Sequence, residues 1–387
     1  MKKIFALVLI LFIFTSCGVS EELPESEVQR DDKIRGVWIY YNELSMKEEK
    51  GGTAEQFKKK IYGIFSDCRQ WGLNTVFVQI RPFADSFYPS EVFPWSEYLT
   101  GEQGKAVDYD PLQIMIDCAK EYGLSLHAWI NPFRILHTPE FDKLCDNHPA
   151  HRLADTDAIF EFDGGIYLNP ASLEAQKLIL DGIREIAGNY DVDGIHIDDY
   201  FYPTTDEKID KNQYEIYVKG GGEQSLKEWR IECINAFVSG MYRTVKAVKP
   251  DITVSISPAG NISNNYEKHF ADVGLWCSQE GFCDVIIPQI YFGFNHKTLP
   301  FESCADQWAE LRTSENIRLV CGIGAYKAVD PQTDEWKNLD IVKHQAEYAL
   351  KFSKYNGYCL FSYSSLVGLR IKAELPSDTL SQERSGD

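Results

Sequence analysis

Eight short apolar runs recur along the chain, at Ile34–Tyr41, Thr75–Ile80, Ser125–Ile130, Gly194–Tyr200, Thr253–Pro258, Val285–Tyr291, Arg318–Gly324 and Gly357–Tyr363. Most are rich in Val and Ile and nearly unbroken in apolar character, the mark of strands covered on both faces. Between them the apolar positions switch to a helical period, predicting helices over Ala54–Trp71, Pro111–Tyr122, Leu173–Tyr190, Leu226–Val248, Phe301–Ser314 and Leu339–Tyr355. In the first of these, Phe57, Ile61, Ile64, Phe65 and Cys68 share one face. Strand–helix alternation repeated eight times predicts the α/β class and a closed (β/α)8 TIM barrel. An open doubly wound sheet fits less well, because no glycine-rich phosphate fingerprint follows the first strand.

Loop lengths distinguish the two ends of the predicted barrel. Helix-to-strand joins are short, as at Gly72–Asn74, Gly123–Leu124 and Asp191–Asp193. Strand-to-helix joins are long, at Arg81–Asp110, Asn131–Ser172 and Phe201–Ser225. Barrel enzymes build their sites at the C-terminal ends of the strands, so extra chain at that end points to function.

Outside the alternation the chain changes character. Lys2 and Lys3 precede an apolar run from Ile4 to Phe14, followed by Thr15, Ser16, Cys17 and Gly18. A basic start and a short hydrophobic stretch before small residues make residues 1–17 a secretory signal. The Ser-Cys-Gly ending resembles a bacterial lipobox, with Cys17 as the lipidation site, although Phe14 stands where Leu is usual. Residues 18–33 read as an acidic linker, 34–375 as the barrel and 376–387 as a polar tail. The expectation is an exported protein, anchored to the membrane by a lipid and facing the cell envelope or exterior.

The 387 residues carry 39 Lys and Arg against 58 Asp and Glu, a formal charge of −19 that disfavours nucleic acid as a partner. The cysteines beyond Cys17 fall on helical patterns and apolar runs without a CxxC pair, so they read as small buried hydrophobes. Cys277 and Cys283 alone are placed for a local bridge. No HExxH, GxSxG or regular metal-ligand spacing occurs, so neither a metal nor an organic cofactor is expected. Gly220-Gly221-Gly222 lacks the partners of a phosphate loop and reads as a flexible lid, and Asp206 and Asp210 as exposed loop acids.

Candidate chemistry concentrates at the strand ends. In Asp193–Tyr200, alternation sends His196, Asp198 and Tyr200 to one side, the barrel interior. A carboxylate at the mouth end of an apolar strand is costly unless it binds or reacts, which makes Asp198 the first catalytic candidate. Asp199 should face away unless the strand has already bent into its loop. Gln79 and Arg81 end the second run, Asn131 and Arg134 follow the third, and Gln289 and Tyr291 end the sixth. Asp85 is the best second carboxylate and Glu43 the reserve, while Ser257 lies on the fifth run. Aromatic residues are abundant in the same loops, among them Phe83, Phe87, Tyr88, Phe93, Trp95, Tyr98, Phe133, Phe201, Tyr202, Phe292 and Phe294. Flat apolar rings beside acids and amides suit the faces of sugars.

Several stretches, in order, carry a family resemblance: Arg35–Trp38, Gln79–Pro82, Asp85 through Trp95, Leu99–Gly104, Asp110–Leu112, His127–Arg134, Leu168–Pro170, Asp191–Pro203, Ile256–Pro258 and Pro288–Tyr291. Together they resemble the glycosyl hydrolase-like family ten proteins, formerly a domain of unknown function. The resemblance implies a barrel-shaped glycoside hydrolase, often exported as a lipoprotein, acting on peptidoglycan glycan strands stripped of stem peptides. It places the family's pattern on Arg81, Asp85, Asn131, Arg134, His196, Asp198, Asp199, Gln289 and Tyr291. Ala84-Asp85-Ser86-Phe87-Tyr88 departs from the usual Gly-Asp-Ala-Leu-Tyr, and Tyr200 stands where chitinase-type barrels carry Glu.

The expected reaction is hydrolysis of a glycosidic bond in which Asp198 stabilises or attacks the anomeric carbon and Asp85, or else Asp199, protonates the leaving oxygen. Arg81, Gln79, Asn131, Arg134, His196, Tyr200, Gln289, Tyr291, Trp95 and Glu43 are the expected substrate-binding residues. A non-catalytic glycan-binding lipoprotein and a hydrolase of another polysaccharide are the alternatives.

Overall fold

The computed structural model describes residues 33–338 and 340–369. The signal, Cys17, nearly all of the linker and the polar tail lie outside the described residues. Eight parallel staves form a barrel: β1 (Ile34–Ile39), β2 (Thr75–Arg81), β3 (Ser125–Ile130), β4 (Gly194–Ile197), β5 (Thr253–Ile256), β6 (Val285–Ile286), β7 and β8 (Gly357–Phe361). The seventh stave is two short pieces, Arg318–Leu319 and Cys321–Ile323, either side of Val320. The first piece pairs with β6 and the second with β8, so the ladder closes on itself and leaves no sheet edge.

Six staves end before their apolar runs do, and in β4, β5 and β6 the local reason is visible. β4 stops at Ile197 because the Tyr200 N–H turns back onto Asp198 Oδ1 at 3.4 Å, and the Phe201 N–H onto the Asp199 carbonyl at 2.9 Å. An Asp side chain that captures the backbone two residues on bends the chain out of the ladder. Runs five and six carry Pro258 and Pro288, which have no N–H to give. Parallel links nonetheless continue past them, with the Gln289 N–H on the Pro258 carbonyl and the Gly322 N–H on the Pro288 carbonyl.

Several helices begin where side chains cap them. Thr53 with Gln56 and Ser225 with Glu228 form capping boxes for Ala54–Gln70 and Leu226–Val248. Asp110 caps Pro111–Tyr122, whose proline occupies the first turn. Between β5 and β6 two short helices, Ile262–Lys268 and Val273–Ser278, stand in for one long one. The long loop after β3 folds into a small antiparallel sheet of Arg134–Leu136, Gly165–Leu168 and Ile159–Phe162, which the sequence pattern did not show.

Two cores result. The larger lies between the staves and the helices; the smaller fills the lumen with Trp38, Phe77, Trp129, Val285, Ile287, Val320 and Cys359. Gly194 makes room for a neighbouring lumen side chain: a Cβ there would stand 2.2 Å from His127 Nδ1. Polar lumen residues are chained together. Trp38 Nε1–H donates to His196 Nε2 at 3.0 Å, which leaves the His196 proton on Nδ1, 2.9 Å from Ser255 Oγ. Burial pushes His196 well below its usual value and His127 down to about 3, so both rings are neutral.

All nine cysteines among the described residues are free thiols, Cys277 and Cys283 included, and most are buried. The Gly220–Gly222 turn packs on the Tyr217 ring. Asp210 is no exposed acid: it is fully buried in a two-pronged pair with Arg230, at 2.6 and 2.8 Å.

Candidate active site

The lumen ends at the C-terminal mouth in a cavity of about 390 Å³, floored by the last inward residues of the staves. Asp198 follows β4 directly and is almost wholly buried. Its Oδ2 accepts the indole N–H of Trp129, at the end of β3, at 3.0 Å. Burial, reinforced by the neighbouring Asp199 charge, lifts the Asp198 carboxyl to about 7, while Trp129, Arg134 and the Tyr200 N–H pull the other way. The bend after Ile197 brings Asp199 into the same cavity. There burial also raises its carboxyl, opposed by a hydrogen bond from Gln289.

Donors for a ligand surround the two acids. Asn131 Nδ2 and Ser257 Oγ are buried in the cavity wall and have no hydrogen-bond partner among the described residues. Buried donors of this kind are normally satisfied, so these two point to a bound group that completes them. The inserted sheet supplies Arg134, whose guanidinium lies 3.9 Å above the Tyr200 ring and whose N–H is held by Asn131 Oδ1. Gln79, Gln289 and Tyr291 also line the cavity. Six aromatic residues that sequence reasoning had not assigned to the site complete the wall: Trp38, Tyr40, Tyr41, Trp129, Tyr326 and Phe361. Trp129 was within reach of the pattern, since the alternation that turns His127 inward turns Trp129 inward as well.

Five expected residues stand elsewhere. Asp85 does not line the cavity: Ala84 takes a positive φ of 53°, and the Asp85 carboxylate folds back to accept the Phe83 N–H at 3.0 Å. It also accepts from Ser96, and burial lifts it to about 6, so it ties its own loop together. Glu43 caps a short helix and bridges the chain ends of the barrel, accepting the N–H groups of Tyr40 and Ser364 at 2.8 and 2.6 Å. Arg81 is buried behind the wall, its guanidinium 4.5 Å over Phe93 and its Nη2–H on the Asn131 carbonyl at 3.4 Å. Trp95 packs against the outer core, and His196 lies below the site in the lumen network. Among the described residues no group of three or more His, Cys, Asp and Glu side chains is arranged for a metal ion.

A closed (β/α)8 barrel with two neighbouring acids in a buried cleft among amides and aromatic rings is the architecture of a glycoside hydrolase. Residues 33–338 match the family described as Glycosyl hydrolase-like 10, and the chain belongs to that family. It is 34% identical over 379 residues to glycosyl hydrolase YngK of Bacillus subtilis, covering 92% of this chain and 74% of that protein. It is 33% identical over 342 residues to glycosyl hydrolase DigH of Escherichia coli K12, covering 81% of this chain and 77% of that one. Among solved structures the PgaB (BpsB) glycoside hydrolase domain of Bordetella bronchiseptica superposes with a TM-score of 0.63 at 10% identity, over 89% of this chain and 99% of that one. An α-L-fucosidase of Paenibacillus thiaminolyticus gives 0.55 at 14% identity, over 89% of this chain and 48% of that one. At these identities the two structures speak for the fold, and the family makes the chain a glycosidase.

Proposed function

We propose that this enzyme cleaves peptidoglycan glycan strands from which the stem peptides have been removed. The observation that carries the reading is Arg134, a guanidinium fixed over Tyr200 in the mouth of an otherwise strongly acidic protein, beside the unpartnered donors of Asn131 and Ser257. Removing a stem peptide frees the lactyl carboxylate of the sugar that carried it. A planar guanidinium pairs with a carboxylate and has nothing comparable to bind on an amide.

In this mechanism the roles expected from the sequence are exchanged: Asp198, the acid whose carboxyl is lifted to about 7, donates its proton to the glycosidic oxygen as the C1–O bond breaks, and Asp199 takes the place at the anomeric carbon. The leaving sugar departs as an alcohol, and the Asp199 carboxyl faces the oxocarbenium-like centre that forms. Water adds at that carbon and its proton returns to the acid pair. Asn131, Ser257, Gln289 and Arg134 hold the ring substituents, while the aromatic wall covers the apolar sugar faces. Cys17 would carry the lipid that keeps the enzyme at the envelope, where such strands are found.

The test sets purified mature protein against peptidoglycan strands with and without stem peptides, with fragments read by mass spectrometry. Cleavage confined to stripped strands, and lost in Asp198→Asn, is the expected result. Cleavage of intact strands at an equal rate would sink the substrate assignment. Binding without new reducing ends would turn the protein into a glycan-holding lipoprotein.

A further inference from the structure

A second cavity, of about 950 Å³, opens beside the acid pocket between the loops that follow β6 and β7. It lies at the same mouth of the barrel, and Tyr326 lines both cavities. The walls are tied together: the Glu335 carboxylate of one loop accepts the Asn295 N–H of the other at 2.9 Å. Lys327 donates to the carbonyl of Tyr291, itself a residue of the acid pocket, and its ammonium lies 5.8 Å over the Trp336 ring. The lining combines aromatic surface with short polar groups such as Asn295, His296 and Gln332.

We infer that this cavity is a distal glycan subsite, holding sugars of the same strand beyond the bond being cut; the inference rests on the glycan-hydrolase reading above. The pocket around the acids, at about 390 Å³, holds only a short part of a polymer, and the cavity that shares its Tyr326 wall adjoins it at the same mouth. The larger cavity has the size of a well-formed ligand site of roughly 300–1,000 Å³. The Tyr326 ring, 40% exposed at the junction, offers a platform on which a sugar leaving the first pocket stacks before entering the second. A strand engaged in both at once gains contacts that a shorter one lacks, so the enzyme acts preferentially on longer chains.

The experiment fills the distal cavity and reads binding as well as cleavage. Thr333 lines it, is exposed, and caps no helix with its side chain, so Thr333→Trp obstructs the space without removing a known hydrogen bond. In an Asp198→Asn background, calorimetry compares a stripped glycan hexasaccharide with the corresponding disaccharide. Obstruction should weaken the hexasaccharide by about tenfold, the loss of stacking contacts worth about 1.4 kcal/mol, and leave the disaccharide unchanged. With Asp198 intact, Thr333→Trp should raise KM on long strands with kcat preserved. A hexasaccharide affinity within about twofold of the unobstructed protein overturns the subsite. Normal length-dependent binding without any cleavage by the unmodified enzyme would uphold the subsite and remove the hydrolase reading. Failure of every chain length to bind overturns both.

Discussion

Replacing Asp198 by Asn separates the catalytic burden of this residue from its burden on stability. The carboxyl is held at about 7 in the fold by burial and by Asp199, and near 4 in an open chain. The folded state therefore binds the proton more tightly, and stability falls as pH climbs from about 4 to about 7, by at most roughly 4 kcal/mol. Asn keeps an oxygen for the Trp129 indole and carries no charge, so it escapes this loss. Asp198→Asn should match the wild type near pH 4 and exceed it by about 1–3 kcal/mol at pH 8, the remainder being offset by altered hydrogen bonding. Turnover should fall by about 10²–10⁴, the usual contribution of a positioned acid. Urea unfolding at the two pH values and kinetics on stripped glycan strands measure both effects. In the wild type, activity should decline above about pH 7 as Asp198 loses its proton. Equal stability of variant and wild type at pH 8 would refute the claim that burial holds the proton, and near-normal turnover would refute the assignment of the acid.

Three further outcomes follow from the packing. Asp85→Asn should keep turnover within about tenfold of wild type, far from the loss at Asp198, because Asp85 holds its own loop and lines no part of the cavity; parallel kinetics of the two variants decide this, and equal losses would bring Asp85 back into the site. Asp210→Asn strands the Arg230 guanidinium at a place where both side chains are at most 1% exposed, so urea denaturation should show a cost of roughly 3–5 kcal/mol, against a refuting value below about 1. Gly194→Ala drives a methyl into His127 inside the lumen, and thermal melts should record a loss of about 1–3 kcal/mol, whereas an unchanged melting temperature would mean the lumen is looser than its contacts.

How much was legible in the sequence differs between scaffold and site. The staves at Ser125–Ile130 and the helices at Pro111–Tyr122 and Leu226–Val248 fall where the apolar periods put them, because burial on two faces or one stripe writes itself directly into residue order. The sheet inserted at Arg134–Leu136 left no such trace, being three or four residues per strand and only partly buried. At the site, alternation placed Asp198, and position at the mouth ends of apolar runs placed Asn131 and Gln289, in what is the cavity. Neither could locate Tyr40, Tyr326 or Phe361 in the wall, which depends on how separate loops and staves meet.

The sequence by itself determined the repeating strand–helix order, the side of the barrel that carries the long loops, and the acid at the end of β4, since each follows from periodicity within a few neighbouring residues. Only the tertiary structure decided which second carboxylate shares the cavity. Asp85 and Asp199 both lie just beyond the end of a stave, and both are polar residues in apolar company. One turns back into its own loop through the positive φ of Ala84, and the other is carried into the cleft by the turn that Asp198 itself begins. Backbone direction over two or three residues makes that difference, and it is set by which hydrogen bonds the surrounding loops leave open.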